Sequence, residues 1–314
     1  MKEFTDLDLY YMNSGEHTTL YEKMGAHMVK ERNKILGTHF RVYAPNAREV
    51  FVIGDFNAWQ RSHQMQWEID GVFQLYVEGL KSLENYKYLI ITHDGREIHK
   101  ADPYAFFSQV RPETASTTYN SRYKFKDQAW MNERVEYDFK EQPVSIYEVH
   151  LGSWQRAEDG GFLSYDELAH RLVAYVKHMG FTHLELMPVM EHPLDGSWGY
   201  QPIGMFAPTA RFGTPDGFAR LVDHAHANGI GVILDWVPAH FPIDAHGLAK
   251  FDGTPLYEHA DKFRGFHPIW NTAIFFFFLK EKTGFLIFYL LLWLELCLLD
   301  VLRVSAVSTM LLLI

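Results

Sequence analysis

A chain of 314 residues, 47% of them hydrophobic, has enough apolar mass for two cores rather than one. Its net charge of −10 comes from 39 acidic against 29 basic residues, with no Lys/Arg run of five. That excludes the usual footprint of a nucleic-acid binder and leaves a neutral polymer as a compatible partner.

The aromatic content is 16%, including 8 Trp, 17 Tyr and 24 Phe. Flat apolar rings suit sugar C–H faces, although a large aromatic core explains them equally well. Cys297 is the single cysteine. It cannot pair within the chain, and with an acidic N-terminus lacking an apolar segment it fits a reducing, cytoplasmic setting.

Residues 1–36 read as a lead-in with one helical stretch at 19–28. From Thr38 the pattern changes to short strands. His39-Phe40-Arg41-Val42-Tyr43 alternates, and Glu49-Val50-Phe51-Val52-Ile53 follows a Pro45-Asn46-Ala47 turn. Val72-Phe73-Gln74-Leu75-Tyr76-Val77 and Tyr86-Lys87-Tyr88-Leu89-Ile90-Ile91 come next, and Asp94-Gly95 signals a hairpin into Glu97-Ile98. This spacing predicts a β-sandwich over residues 37–128, one expected to fold alone.

Residues 129–314 change rhythm again. Val144 to His150 reads as a buried strand. Tyr165, Leu168, Leu172, Val176 and Met179 recur at helical steps behind Ser164 and Glu167, a capping box, with Gly180 as the stop. A strand over 182–187, a helix over 218–227 closed by Gly229, and a strand over 230–235 follow. A helix at 285–299 and a strand at 301–304 complete about four βα units. The apolar helix at 285–299 is short of the roughly 18–20 residues a membrane span needs, so a membrane role is not expected. Alternating strands and helices predict a parallel sheet, here half of a (β/α)8 barrel. Such a half-barrel is expected to leave open sheet edges through which chains could self-associate.

Active sites of such barrels sit at the strand ends. The strand over 230–235 ends in Asp235-Trp236-Val237-Pro238-Ala239-His240, so Asp235 and His240 face the mouth. Asp235 can accept from sugar hydroxyls and His240 can donate to one. Taken alone, a loop cap and a surface histidine explain them as well. Asp195-Gly196-Ser197-Trp198-Gly199-Tyr200-Gln201 projects Trp198 and Tyr200 on glycines. Arg303 precedes Ser305 at the end of the last strand. The histidines show no paired ligand spacing, so no metal or cofactor is expected.

Together these segments resemble the α-amylase superfamily, and most closely the 1,4-α-glucan branching enzymes. The resemblance rests on Tyr147-Glu148-Val149-His150-Leu151-Gly152-Ser153-Trp154, Glu185-Leu186-Met187-Pro188-Val189-Met190-Glu191-His192-Pro193, Gly196-Ser197-Trp198-Gly199-Tyr200-Gln201 and Asp235-Trp236-Val237-Pro238-Ala239-His240-Phe241. Gly54-Asp55-Phe56-Asn57-Ala58-Trp59 is typical of the carbohydrate-binding module preceding such barrels. The resemblance runs from about residue 15 to 272 and decays beyond.

It implies a multi-domain β plus α/β protein: a sandwich carbohydrate-binding module, then a partial barrel acting on α-1,4-glucan or glycogen. Tyr200 would be the platform beneath the sugar at the cleaved bond, with Asp235 and His240 contacting the same sugar and Trp198 nearby. Arg303 would precede the nucleophile, an aspartate in the family, where this chain has Ser305. The retaining mechanism needs that carboxylate and an acid on later strands, so this chain is expected to be inactive. Trp59 and Trp67 are the candidate stacking rings of the module. A sibling α-glucan hydrolase and a non-catalytic glucan binder are the alternatives.

Overall fold

A computed structural model describes residues 3–32, 34–136 and 141–276, together with the backbone of Met310–Leu313. The chain opens with α1 (Asp6–Ser14), a helix the spacing did not suggest. Its signal is a capping box: the Thr5 amide donates to the Asp8 carboxylate at 2.6 Å and the Asp8 amide to the Thr5 hydroxyl at 3.3 Å.

The helix expected at 19–28 is absent. A single 3-10 turn at Leu20–Glu22 leads into strand β1 (Gly25–Glu31). Cross-strand pairing wins over local spacing, because β1 runs antiparallel along β2 (Lys34–Tyr43). Gly25 fits this path with φ 88, where a Cβ would come within 2.9 Å of the Tyr104 side chain. The lead-in therefore contributes a strand to the sandwich.

The remaining sandwich strands are β3 (Ala47–Gly54), β4 (Gln66–Ile69), β5 (Val72–Glu78), β6 (Asn85–Thr92), β7 (Glu97–Lys100) and the short β8 (Ser116–Thr117). One sheet has the order β1-β2-β5-β4; the other is β3-β6-β7, with β8 also on β6. The segment before β4 fastens the two sheets together. The Val52 amide donates to the His63 carbonyl and the Met65 amide to the Val50 carbonyl, after which β4 joins β5. Asp94-Gly95 forms the anticipated hairpin, with Gly95 at φ 86.

The second part begins with α2 (Gln128–Val135), β9 (Ile146–Val149) and the single turn α3 (Leu151–Trp154). Next come α4 (Tyr165–His178), β10 (His183–Leu186), β11 (Met190–Glu191), β12 (Gly204–Pro208), α5 (Pro215–Ala227) and β13 (Gly231–Trp236). Strands β9, β10 and β13 are parallel, with Val149, Leu186 and Leu234 in register. Leu168, Leu172 and Val176 of α4 and Leu221 of α5 bury one sheet face against Leu184, Leu186 and Val232. The Ser164–Glu167 capping box starts α4 as anticipated, and Gly180 at φ 80 follows its end. Pro215 opens α5 behind its N-cap, Thr214.

Strand β9 is less buried than its apolar run suggests. Ile146 and Glu148 are exposed, because β10 covers β9 on one side only among the described residues. Beyond β13 lie β14 (His240–Pro242), α6 (Lys262–Gly265), β15 (Phe266–His267) and β16 (Thr272–Ile274). The fourth βα unit, with its helix at 285–299 and strand at 301–304, lies outside the described residues. So do Cys297, Arg303 and Ser305. The far edge of β13 carries β17 (Met310–Leu313), antiparallel, with Ile233 paired to Leu313 and Trp236 to Met310. Among the described residues the sheet therefore ends in β17 on one side and β9 on the other, and both outer edges are unpaired, as expected. No helix among them is long and apolar enough to cross a membrane.

The sandwich does not own its core. Phe40, Val50, Tyr86 and Tyr88 belong to one cluster with Trp236, Phe241, Phe251 and Tyr257 of the second part. The Lys100 ammonium donates to the Gly247 and Ala249 carbonyls at 3.0 and 2.7 Å, and the Asn46 amide to Asp252 at 2.9 Å. The sandwich expected to fold alone thus shares its core with the second part. The sandwich face read as self-sufficient is closed by the segment after β14.

Asp102 sits wholly inside this core. It accepts from the Tyr86 and Tyr88 hydroxyls at 2.6 and 3.1 Å and from the Tyr104 amide at 2.9 Å. Burial pushes its carboxyl up to about 6 against these hydrogen bonds. The folded chain therefore holds this proton more tightly than the unfolded chain, where the group has its ordinary value of 3.8. The contribution is complete below pH 3.8 and is lost as pH rises through about 6. This group alone is expected to cost about 3 kcal/mol of stability across that window. Urea unfolding at a series of pH values checks it: Asp102→Asn should flatten the slope, and an unchanged slope would refute the assignment.

Candidate active site

The site forms where the parallel strands end. Val232 and Leu234 face the helices, so alternation turns Asp235 to the opposite, inner face. On that face Glu148 of β9 and Glu185 of β10 lie in register with each other. Asp235 is 4% exposed. Its Oδ2 accepts from the Tyr200 hydroxyl at 2.6 Å, while its Oδ1 is buried without a hydrogen-bond partner.

Burial raises the Asp235 carboxyl above its usual range; the Tyr200 hydrogen bond works against this and Glu148 adds to it. Burial also raises the Tyr200 phenol, assisted by its bond to Asp235, so the proton stays on the tyrosine. Burial raises Glu185 too, followed by its two carboxylate neighbours, Glu148 and Asp235.

Tyr200 reaches the strand end from the loop between β11 and β12. Gly199 makes the loop possible: at φ 88 it passes Pro188 so closely that a Cβ would lie 2.2 Å from the carbonyl oxygen. The Tyr200 amide then donates to the Ser197 carbonyl at 3.0 Å.

His240 starts β14, also buried, with its Nδ1 lacking a partner. Burial, with help from His267, lowers its pKa and keeps the imidazole neutral. The Trp270 ring tilts against it at 4.9 Å and stacks on His267 at 4.0 Å. Sequence reading missed both Trp270 and His267. Only the β14–β16–β15 pairing brings them to His240; the available signal was a tryptophan in a Pro268-Ile269-Trp270-Asn271 turn.

The other candidates separate. Trp198, 52% exposed, stacks on His150 at 5.7 Å and lines a neighbouring cavity that includes neither Asp235 nor His240. Trp59 and Trp67 are 39% and 55% exposed. Trp59 donates its indole N–H to Asp55 at 3.0 Å, and Trp67 meets Phe73 edge-on at 5.2 Å. Arg303 and Ser305 lie outside the described residues. No group of three metal-binding side chains occurs among the described residues.

A buried carboxylate with one free oxygen, a tyrosine fixed to it and a neutral histidine offer both acceptors and donors to a polyhydroxylated ring. A sandwich feeding a parallel βα sheet with these groups at its strand ends defines the α-amylase class of carbohydrate-active proteins. Residues 23–105 match carbohydrate-binding module 48 (isoamylase N-terminal domain), and residues 166–255 match the alpha amylase catalytic domain. A putative alpha amylase from Salmonella typhimurium shares the fold with TM-score 0.65 at 23% identity, over 87% of this chain and 42% of that one. A pullulanase from Bacillus acidopullulyticus does so at 0.61 and 22%, over 87% and 36%.

Within the class the sequence is more specific. The 1,4-alpha-glucan branching enzyme GlgB of Mesorhizobium japonicum is 53% identical over 97% of this chain and 42% of its own length. Its counterparts from Agrobacterium fabrum and Desulfitobacterium hafniense are 52% and 50% identical, over 42% and 48% of theirs. The chain belongs to the 1,4-α-glucan branching enzyme family, and it spans less than half the length of the relatives it matches.

Proposed function

We propose that the Tyr200–Asp235–His240 group holds the glucosyl unit at the bond a branching enzyme cleaves, with α-1,4-glucan or glycogen as partner. In a whole enzyme of this kind the glucan is cut by a retaining, two-carboxylate mechanism and the freed chain is passed to a 6-hydroxyl, making an α-1,6 branch. On this reading Asp235 accepts from two sugar hydroxyls, Tyr200 supports the ring, and neutral His240 completes the hydrogen bonds. Arg303 stands before the nucleophile position, which holds Ser305. The setting is the cytoplasm.

The observation that carries the reading is the free, buried Asp235 Oδ1. An unpaired carboxylate oxygen costs free energy that a ligand hydroxyl would recover. Calorimetric titration with maltohexaose tests it. Asp235→Asn and Tyr200→Phe are each expected to weaken affinity about tenfold, the scale of one lost hydrogen bond to a charged group. Unchanged affinity in both would contradict the reading.

A second reading, a glucan binder without chemistry, is supported by the exposed Trp59 and Trp67. In it these rings bind the polymer, and chains associate through the free edge of β9.

A further inference from the structure

Beside the Asp235 group lies a cavity of about 260 Å³ that the function above does not use. It opens between the loop after β9 and the loop carrying Trp198 and Tyr200. Trp198 lines it in a left-handed conformation, φ 55. That backbone is costly for a bulky residue and persists only where its surroundings impose it. The surroundings do so. Arg111, in the sandwich loop between β7 and β8, donates to the Pro193 carbonyl at 3.0 Å and pairs with Asp195, which also accepts from Arg211 at 2.8 Å. The indole is thereby held parallel to His150, 22° between planes, yet half exposed.

The cavity also offers hydrogen-bonding groups with unused capacity. Arg211, its side chain 4% exposed, donates to Glu191 and Asp195, but its Nη2 is buried with no partner. His192 donates from Nδ1 to the Met190 carbonyl at 2.8 Å, which leaves Nε2 as an acceptor. Burial, with Arg211 nearby, pushes the His192 pKa down to about 4, so the ring is neutral at pH 7. Arg211 is already matched by two carboxylates, so it presents hydrogen bonds without surplus charge.

We infer that this cavity is a second, separate sugar subsite, taking one neutral pyranose ring stacked on Trp198 and hydrogen-bonded by Arg211 and His192. Its volume falls just below the roughly 300–1,000 Å³ of drug-sized ligand sites, which suits one ring rather than a chain. An aromatic face with a few fixed polar groups is what a sugar ring needs. The ligand class rests on the glucan reading; the position does not.

The test follows the indole N–H signals of the full chain, labelled with ¹⁵N-tryptophan, on adding maltose. The Trp198 signal is identified by its loss in Trp198→Phe. It is expected to move, and to move equally in Asp235→Asn. Trp198→Gly should weaken maltose binding about tenfold without lowering Tm, since glycine suits φ 55. A stationary Trp198 signal, while maltohexaose binding remains sensitive to Tyr200→Phe, would overturn the subsite and spare the glucan reading. A Trp198 signal that moves with inorganic phosphate and not with maltose would also overturn it. No response to either sugar would remove both.

Discussion

Incubated with amylose, the 314-residue polypeptide is expected to form no branches and release no reducing ends, falling at least about 10⁴-fold below a full-length relative. The reason is chemical. Retaining glucan transfer needs a carboxylate that is ionised at neutral pH, attacks the anomeric carbon and stabilises an oxocarbenium-like transition state. The resemblance places that carboxylate where this chain has Ser305. A serine hydroxyl carries no charge, and the sequence supplies no evident base to activate it. Iodine staining and a reducing-end assay read both outcomes. The matching Asp→Ser exchange in a full-length relative should lower its rate to a similar degree. Turnover by this polypeptide near that of a relative would show the premise to be wrong.

The second large effect concerns the sandwich. A polypeptide ending at residue 128 is expected to be less stable by roughly 5 kcal/mol than the same sandwich in the whole chain. Tyr104 loses its stacking partner Phe206, 5.2 Å away. Lys100 loses both carbonyl acceptors, and Asn46 loses Asp252. Each buried aromatic contributes about 1.5–3 kcal/mol and each orphaned polar group about 1–3. Such a loss is comparable to the whole stability of many small domains. Urea unfolding followed by tryptophan fluorescence checks it. A midpoint equal to that of the sandwich in the full chain would mean the shared core contributes little.

What the sequence disclosed and what it hid follow from the range of the forces. Helix α4 was readable because Ser164, Glu167 and Gly180 act within a few residues of one another. Strand β1 was not, because its conformation is set by pairing with β2 across the sheet. The shared core was invisible for the same reason on a larger scale: Asn46 and Asp252 are 206 residues apart. At the site, Asp235, His240 and Tyr200 could be named from strand ends and motif strings. Their arrangement could not: Tyr200 is tied to Asp235, while His240 sits against Trp270. Trp198 stands apart from these three because its left-handed backbone aims the ring at His150 and the neighbouring cavity. Glu148 and Glu185 stood inside recognised strings, and only the parallel register made them neighbours of Asp235.

The central claim is that the ends of β9, β10 and β13 form a glucan site around Asp235. Crystals of the chain soaked in maltohexaose test it most directly. The expected result is a glucosyl ring on Tyr200, with hydroxyls in hydrogen-bond reach of Asp235 Oδ1 and of His240. Sugar bound only at Trp59 or Trp67, with the Asp235 group empty, would contradict it.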